Sequence, residues 1–276
     1  MNRRVAIQGI QASFHDTAAV QFFGDTITPL ECVTFPQVFK AVNSGEADYA
    51  VCAFENSLAG SILPNYALLR NSNLEVFGEV YLGIELNLLA LHGQTIDNIQ
   101  EIHSHPMAIL QCRNFLDKYP HIQLVESRDT ASSAKEIVDY HIKSRAAIAG
   151  KHASKVFDLD VIAADIHDNE RNFTRFLVLR KRQGELVRNI NKASISFRAN
   201  HTPGSLAKIL TIIGENGINL NKIQSMPVVG EEWKYFFYLD LRFEEFAGYR
   251  KMMDKIEPLT TELKILGEYQ QGEKPA

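Results

Sequence analysis

Short apolar runs alternate with helical patterns along the first two thirds of the chain. Runs at residues 5–8, 31–34 and 49–54 predict strands, and each is followed by apolar positions spaced three or four apart, as in a helix. This alternation is typical of a parallel, doubly wound sheet. Longer extended segments at residues 74–80 and 86–91 interrupt the pattern before it resumes. We therefore expect an α/β fold with two lobes, joined by extended crossings, that enclose a ligand-binding cleft.

A polar loop runs into a buried strand at the end of this region. Residues 167–174 are all polar or aromatic, whereas residues 176–179, Phe-Leu-Val-Leu, predict a short strand buried on both faces. Loops fixed at the end of buried strands are where α/β proteins hold binding and catalytic groups. An ordinary surface loop is the alternative, and it is the better interpretation of this stretch taken alone.

The last third of the chain has a different pattern. Residues 180–189 are polar and aperiodic, which indicates a linker. Strand, helix, strand, strand, helix and strand follow, with the first helix opened by Pro203-Gly204 and ended by Asn216-Gly217. This βαββαβ order is the ferredoxin-like arrangement. We expect two domains, at residues 1–182 and 192–271.

The composition limits the possible partners. The chain of 276 residues is 45% hydrophobic and 22% charged, as in ordinary globular proteins, and its net charge is −4. It has no basic run of the nucleic-acid-binding type and no apolar run of membrane-spanning length, so neither nucleic acid nor membrane is expected as a partner. The first residues lead directly into a strand rather than a secretory signal. The cytoplasm is the expected location.

Metal and cofactor chemistry have little support in the sequence. Cys32, Cys52 and Cys112 lack CxxC spacing and have apolar neighbours, which indicates reduced, packed thiols. His103 and His105 have no third ligand nearby, so a metal site is not expected. Walker, GxGxxG, HExxH and GxSxG motifs are absent from the sequence. An enzyme built on this chain is expected to work without metal, nucleotide or covalent serine.

Several predicted helix openings carry small hydroxyl or amide residues. They are Ser13, Asn56-Ser57, Ser104 and Thr130 with its following serines. A helix N-terminus presents unpaired N–H groups and partial positive charge, so several directed into one cleft would hold the carboxylates of a small dianion. The same residue types are preferred caps that stabilise a helix by about 1 kcal/mol, so capping is the alternative at each position.

Three further residues are candidates for chemistry near the cleft. Glu55 directly follows a buried-looking strand, so it is either an acid at the cleft wall or a first-turn residue that complements a helix dipole. Thr174 can form a hydrogen bond at the cleft. Arg175 follows it in an extended segment and should point to the opposite face. An ion pair that braces the fold therefore explains Arg175 as well as a substrate clamp does.

Four motifs, taken together, resemble the prephenate dehydratase family. They occupy residues 55–62 (Glu-Asn-Ser-Leu-Ala-Gly-Ser-Ile), 104–112 (Ser-His-Pro-Met-Ala-Ile-Leu-Gln-Cys), 129–134 (Asp-Thr-Ala-Ser-Ser-Ala) and 172–179 (Asn-Phe-Thr-Arg-Phe-Leu-Val-Leu). The resemblance implies a two-lobed catalytic domain of the type II periplasmic-binding-protein-like fold, followed by an ACT regulatory domain. It also implies a hydro-lyase that converts prephenate to phenylpyruvate, with loss of water and carbon dioxide, in phenylalanine biosynthesis.

The resemblance also implies roles for individual residues. Thr174 is expected to bind the leaving hydroxyl and Glu55 to supply a proton. The expected substrate-binding residues are Ser13, Asn56, Ser57, Ser104, Gln111, Thr130, Arg175 and Phe176. The expected effector-binding residues, for L-phenylalanine in the ACT domain, are Pro203, Gly204, Ser205, Leu206, Asn219 and Ser225. A homodimer or homotetramer formed through ACT domains is expected.

Two stretches depart from the family's pattern. The opening Gly-Pro-x-Gly-Thr-Phe-Ser is replaced by residues 9–15, Gly-Ile-Gln-Ala-Ser-Phe-His, in which Ala12 restricts the backbone where the family has glycine. In the ACT domain, Glu-Ser-Arg-Pro is replaced by residues 224–227, Gln-Ser-Met-Pro. The loss of both charges alters the phenylalanine site that the family would have there.

Two alternatives remain open from the sequence. Arogenate dehydratase catalyses the same reaction on a substrate that carries an ammonium in place of the keto group. A non-catalytic amino-acid sensor would bind a ligand in the cleft or the ACT domain without turnover. The complete Thr174-Arg175-Phe176 motif favours an enzyme over a sensor.

Overall fold

The computed structural model describes residues 2–183, 189–200, 202–228 and 230–274. The elements of residues 3–110 are β1 (Arg3–Gln8), α1 (Phe14–Phe23), β2 (Ile27–Cys32), α2 (Phe35–Ser44), β3 (Tyr49–Asn56), β4 (Gly60–Ser61), α3 (Leu63–Asn71), β5 (Leu74–Gly83), β6 (Asn87–Ala90), β7 (Glu101–Ser104) and α4 (Pro106–Leu110). Those that follow are α5 (Arg113–Leu116), β8 (Gln123–Glu126), α6 (Thr130–Asp139), β9 (Arg145–Ala149), α7 (Lys151–Val156), β10 (Asp160–Ala163), β11 (Phe173–Lys181), β12 (Lys192–Ala199), α8 (Ser205–Glu215), β13 (Asn219–Pro227), β14 (Tyr235–Arg242), α9 (Phe246–Ile256) and β15 (Thr260–Tyr269).

The first lobe is built on a sheet of order β2-β1-β3-β11-β5, with β4 paired to β3. Strands β1, β2 and β3 are parallel, as predicted, but β11 runs antiparallel to both β3 and β5. The expectation of a wholly parallel sheet is therefore wrong for this strand. The chain leaves the first lobe at the end of β5 and comes back from the second lobe as β11. Because β11 starts beside the end of β5, it runs in the opposite direction to β5.

The second lobe is built on a sheet of order β10-β6-β9-β7-β8. Strand β7 is parallel to β8 and β9, whereas β6 is antiparallel to β9 and β10. Apolar side chains such as Leu88, Ile102 and Ile148 are fully buried in its core. The predicted two-lobed α/β architecture, with extended crossings between the lobes, is confirmed.

The C-terminal domain is an antiparallel sheet of order β13-β14-β12-β15, with α8 and α9 packed on one face around Ile195, Ile209 and Tyr249. The predicted ferredoxin-like order is confirmed. The other face of the sheet rests on the first lobe, because Tyr238 and Tyr269 belong to the same buried cluster as residues of β3 and α3. The two domains therefore share a hydrophobic core.

The predicted linker begins later than expected. Strand β11 continues through Arg180, which is buried, forms an ion pair with Glu75 (3.0 Å, Nε to Oε1) and stacks on the Phe77 ring. The hydrophobic stem of an arginine can be covered while its charge is paired, so a charged sequence need not be a loop. Residues 184–188 of the predicted linker lie outside the described residues.

The three cysteines are free and buried, and burial raises the pKa of the Cys112 thiol to about 12 and that of Cys52 further. These thiols are therefore protonated, packed groups. Within the described ranges, none of the helices combines the length and the hydrophobicity needed to cross a bilayer.

Candidate active site

A cavity of about 550 Å³ lies between the two lobes. The first lobe contributes the start of α1 and the adjoining ends of β3 and β11, and the second lobe contributes α4 and the start of α6. The predicted substrate-binding and catalytic residues that line it are Ser13, Asn56, Gln111, Thr130, Thr174 and Phe176. Ile62, Ile84, Leu86 and Met107 supply apolar wall. The volume and the mixed lining are those of a small-molecule site.

A chain of side-chain amides connects Thr174 to the opposite lobe. Asn56 Nδ2 lies 3.0 Å from Thr174 Oγ1 and 2.8 Å from Asn172 Oδ1, and Asn172 Nδ2 donates to Gln111 Oε1 at 3.0 Å. Asn56 Oδ1 accepts from the backbone N–H groups of residues 58 and 59, which fixes the orientation of its amide. Since Thr174 accepts a hydrogen bond from Asn56, its own hydroxyl proton is available for a ligand in the cavity.

Two of the predicted serines do not reach the cavity. Ser104 is fully buried beneath its wall, where Oγ donates to the Ile148 carbonyl oxygen at 2.7 Å. Ser57 donates to the Arg171 carbonyl oxygen and accepts from the Phe173 N–H at 2.9 Å. Both were expected to bind substrate. The structure places Ser104 in the support of the second lobe and Ser57 in the support of the loop that precedes β11.

Glu55 and Arg175 lie on the side of the sheet away from the cavity. Neighbouring residues of a strand point to opposite faces, and the register pairs Asn56 with Thr174 and Glu55 with Arg175. Glu55 Oε1 accepts from Lys222 Nζ of the C-terminal domain at 2.7 Å. The expected roles of Glu55 as proton donor and of Arg175 as substrate ligand are not supported by these positions. The alternative of a bracing ion pair fits Arg175.

Arg175 is the centre of a buried polar network between the domains. Its Nε donates to Glu79 Oε2 at 2.7 Å, its Nη1 donates to the Asp240 carboxylate, and Nη2 donates to the Tyr269 hydroxyl at 2.9 Å. Lys192 Nζ contacts both oxygens of Glu79 at 2.8 Å. Burial on its own would raise the pKa of Asp240, but the charges of Arg175 and Lys192 hold it below its ordinary value. The network fixes the C-terminal sheet to β11 and β5.

The helix openings differ from the prediction in one respect. Ser13 caps α1 and Asp129 caps α6, but carboxylates of the chain itself occupy part of both sites. Asp16 Oδ2 accepts from the Ala12 N–H at 2.8 Å, and Asp129 Oδ1 accepts from the Ser132 N–H at 2.7 Å. Ala12 adopts a φ of 70°, so the turn keeps the left-handed shape that favours glycine. A bound dianion therefore requires groups other than these N–H groups.

His15 lines the cavity and was not singled out as a site residue. Its ring lies between Phe35 and Phe176, with centroid distances of 5.6 and 5.1 Å, and its Nε2 accepts from the Ala53 N–H at 3.2 Å. Burial lowers the pKa of His15 to about 4, although the Asp129 carboxylate opposes this shift. The imidazole is therefore neutral at physiological pH. Its presence in the first turn of α1 was visible in the sequence, but its contact with β3 was not.

Arg128 supplies a positive charge at the cavity that was not predicted from the sequence. Among the described residues that line the cavity, it is the one with a permanent cation. Its side chain is 57% exposed and its Nε lies 3.6 Å from Asp129 Oδ2, a long separation that leaves the guanidinium accessible to a ligand. The feature of the sequence that could have identified Arg128 is its position immediately before the Asp129-Thr130 motif. His105, which caps α4 by accepting from the Met107 N–H, also lines the cavity.

The predicted effector residues fall into two groups. Pro203, Ser205 and Leu206 line a surface cavity of about 670 Å³ in the C-terminal domain, together with Arg198 and Trp233. Gly204, at φ 79°, caps α8 next to them. Asn219 and Ser225 lie instead on β13, the edge strand of the sheet, and do not line that cavity. The six predicted effector-binding residues therefore do not all line one pocket within a single chain.

In the part of the chain that the structure describes, no group of three or more His, Cys, Asp or Glu side chains is arranged to bind a metal ion.

Known proteins are similar to this chain over both of its domains. A family model described as prephenate dehydratase matches residues 5–184, and one described as ACT domain matches residues 193–245. A bifunctional chorismate mutase/prephenate dehydratase of Aquifex aeolicus is 34% identical over 268 residues, which cover 96% of this chain and 73% of that protein. Arogenate dehydratase/prephenate dehydratase 2 of Arabidopsis thaliana is 36% identical over 281 residues, or 96% of this chain and 72% of the relative.

A solved structure is also similar over almost the whole length. It is the crystal structure of a prephenate dehydratase from Arthrobacter aurescens in complex with L-Phe. Its TM-score is 0.87 at 26% identity, and the match covers 99% of this chain and 92% of that chain.

Proposed function

The chain belongs to the prephenate dehydratase family, and we propose that it is the hydro-lyase that converts prephenate to phenylpyruvate, water and carbon dioxide in phenylalanine biosynthesis. One observation carries the proposal: the Thr174 hydroxyl, which accepts a hydrogen bond from Asn56, lines a cavity between the two lobes. The catalytic domain is residues 1–182 and the ACT domain residues 192–271 in this proposal.

The reaction places few chemical demands on the protein. Prephenate is a dianion that contains both the leaving hydroxyl and the leaving carboxylate, and the formation of an aromatic ring drives both departures. Uptake of one proton balances the reaction, since the ring hydroxyl leaves as water and the carboxylate as carbon dioxide. The protein has to orient the substrate, assist the departing hydroxyl and surround the ring with apolar groups.

Thr174 is the residue we assign to the departing hydroxyl. A hydroxyl that already accepts from Asn56 is oriented so that its proton donates, and a donor directed at the developing charge stabilises the transition state. Glu55 is not part of this assignment because it lies behind the sheet. The proton that completes the water molecule comes from solvent once the hydroxyl has left.

The remaining polar groups of the cavity are assigned to binding. Arg128 offers a guanidinium to one carboxylate of the substrate, and Ser13, Gln111 and Thr130 offer neutral hydrogen-bonding groups from both lobes. Phe176 and the aliphatic lining face the ring. Because these groups come from both lobes, closure of the lobes on the substrate would complete the site.

Arogenate is a second candidate substrate. The relative from Arabidopsis thaliana carries both the arogenate and the prephenate dehydratase names. The two substrates differ only where prephenate has a keto oxygen and arogenate an ammonium, so one cavity can accommodate the shape of either. The values of kcat/KM for the two purified substrates would decide between them.

Phenylalanine is the effector we assign to the C-terminal domain. The similar structure from Arthrobacter aurescens was solved with L-Phe bound, and the network around Arg175 offers a rigid connection from this domain to the strand of Thr174. We also propose a homodimer or homotetramer assembled through ACT domains, to be tested by sedimentation equilibrium, and a cytoplasmic location, which rests on the family alone.

The test of the activity is a direct assay. Purified protein is incubated with prephenate, and phenylpyruvate and carbon dioxide are measured in the same reaction. We expect equimolar formation of both, with inhibition by phenylalanine added at millimolar concentration. Absence of phenylpyruvate above the spontaneous rate, from protein that is folded by circular dichroism, would refute the proposed activity.

A further inference from the structure

One side chain of the cavity has a fixed hydrogen-bonding direction. His15 Nε2 accepts from the backbone N–H of Ala53 at 3.2 Å. Because an imidazole nitrogen that accepts from an N–H group cannot carry a proton itself, a neutral His15 must be protonated on Nδ1. The tautomer is thus set by a peptide group of β3, which the sheet holds rigidly in place.

The rest of the surroundings leave the Nδ1–H group directed at the cavity. Phe35 and Phe176 flank the ring and provide no acceptor in their side chains. Within the described residues, Nδ1 forms no hydrogen bond, and it is not among the buried polar atoms without a partner. Since His15 lines the cavity and is only partly buried, Nδ1 is the ring nitrogen left for a ligand there. His15 therefore presents a hydrogen-bond donor, and no acceptor, to a bound ligand.

The negative charge of the nearby Asp129 does not protonate His15. Burial keeps the His15 pKa at about 4 against the effect of Asp129, so His15 remains neutral at the pH of the cell. Asp129 is held in place by Ser132, whose N–H donates to Oδ1 at 2.7 Å and whose hydroxyl donates to Oδ2 at 2.6 Å.

We propose that His15 is a specificity-determining residue that donates its Nδ1–H to the keto oxygen of the side chain of prephenate, and thereby selects a 2-oxo acid over the corresponding amino acid. The inference rests on the proposed function. A keto oxygen accepts such a donor, whereas the ammonium of arogenate is itself a donor and would face it without a partner. Discrimination of this kind arises because one substrate leaves a desolvated polar group unpaired.

Two substitutions of His15 separate its two hydrogen bonds. His15→Gln keeps an acceptor at the position of Nε2, where the Ala53 N–H is satisfied, but has no donor at the position of Nδ1. His15→Asn keeps a donor at the position of Nδ1 and loses the acceptor for Ala53. The pair is matched because both are neutral amides that differ by one methylene group. Thermal unfolding of each variant shows whether it is folded.

The experiment measures kcat/KM for prephenate and for arogenate with the full-length wild type and both variants. We expect the wild type to prefer prephenate, His15→Gln to lose about tenfold or more of that preference, and His15→Asn to retain most of it. Phenylpyruvate, a 2-oxo acid, should bind His15→Gln about tenfold more weakly than the wild type by calorimetry.

The outcomes distinguish the inference from the function it rests on. If the wild type turns over neither substrate, the proposed function fails, and phenylpyruvate binding alone then decides the role of His15. If folded His15→Gln keeps both the substrate preference and the phenylpyruvate affinity of the wild type, the inference is overturned. A wild-type preference for arogenate overturns it as well.

Discussion

Thr174 and Arg175 are adjacent in β11, yet their side chains serve opposite faces of the first sheet. Thr174 Oγ1 lies 3.0 Å from Asn56 Nδ2 at the cavity, whereas Arg175 Nε lies 2.7 Å from Glu79 Oε2 in the contact with the C-terminal domain. One peptide unit therefore separates the group that we assign to chemistry from the group that holds the regulatory domain. A displacement of the C-terminal sheet that moves Arg175 would therefore reach the Thr174 hydroxyl through a single peptide unit.

The hydroxyl of Thr174 can be removed without changing the volume of the side chain. Thr174→Val replaces the hydroxyl with a methyl group, and we expect kcat to fall by about 10²-fold, as when one transition-state donor is lost elsewhere. KM should change little because the hydroxyl acts on the departing group rather than on binding. Steady-state kinetics measure both values. Thr174→Ser is the control and should keep most of the activity; a valine variant as active as the serine variant would exclude the hydroxyl from the reaction.

The direction of the Thr174 hydroxyl depends on Asn56. Asn56→Asp keeps the acceptor for the N–H groups of residues 58 and 59 but replaces the amide donor with a carboxylate oxygen. The Thr174 proton would then be drawn to the carboxylate and away from the substrate. We expect kcat to fall by about 10²-fold. The melting temperature should fall as well, because the new carboxylate oxygen faces the Asn172 side-chain oxygen and the Phe173 carbonyl oxygen, which now accept from the Asn56 amide. Kinetics combined with calorimetric unfolding test this, and normal turnover by the variant would show that Asn56 does not orient Thr174.

The network between the domains should dominate the stability of their contact. Arg175→Met removes a charged partner from each of the buried carboxylates of Glu79 and Asp240, and we expect the free energy of unfolding to fall by about 3–5 kcal/mol. The control is Arg250→Met, which breaks a partly exposed pair with Glu268 and should cost at most about 1 kcal/mol. Urea denaturation of both variants gives the comparison. Equal losses in the two variants would contradict a central role for the buried network.

The charge state of His15 gives a prediction about pH. Its folded-state pKa, about 4, lies below the ordinary value of 6.5, so the unfolded chain binds a proton at a higher pH than the folded protein does. The stability contributed by neutral His15 is therefore fully present above about pH 6.5 and declines as the pH falls towards 4. His15→Gln should lack this part of the pH dependence. Nitrogen-15 NMR of labelled histidine should also show an unprotonated Nε2 at pH 6.

Much of the fold followed from the sequence because its signals are local. The strand and helix patterns, the βαββαβ order and the polar loop before β11 are set by residues close to one another in the chain. Asn56, Gln111 and Thr174 were assigned together through the family's motifs, and the structure brings them to one cavity. The opposite direction of Arg175 followed from the alternation of side chains along a strand.

Other features depend on contacts between distant segments. Glu55 was expected at the cleft because it was taken to follow the strand directly. It is instead the seventh residue of β3, so the alternation of side chains that turns Arg175 away from the cavity applies to Glu55 too. The acceptors of Arg175 are Glu79 and Asp240, far from it in sequence, and the Nε2 partner of His15 belongs to a different strand. Local patterns carry no information about such pairings.

The most direct test of the central claim is the position of prephenate in a crystal of the Thr174→Val variant, whose slow turnover should preserve the substrate. The account predicts electron density in the cavity between the lobes, with the ring hydroxyl next to residue 174 and a carboxylate next to Arg128. Prephenate bound anywhere else, with the cavity between the lobes unoccupied in the same crystal, would contradict it.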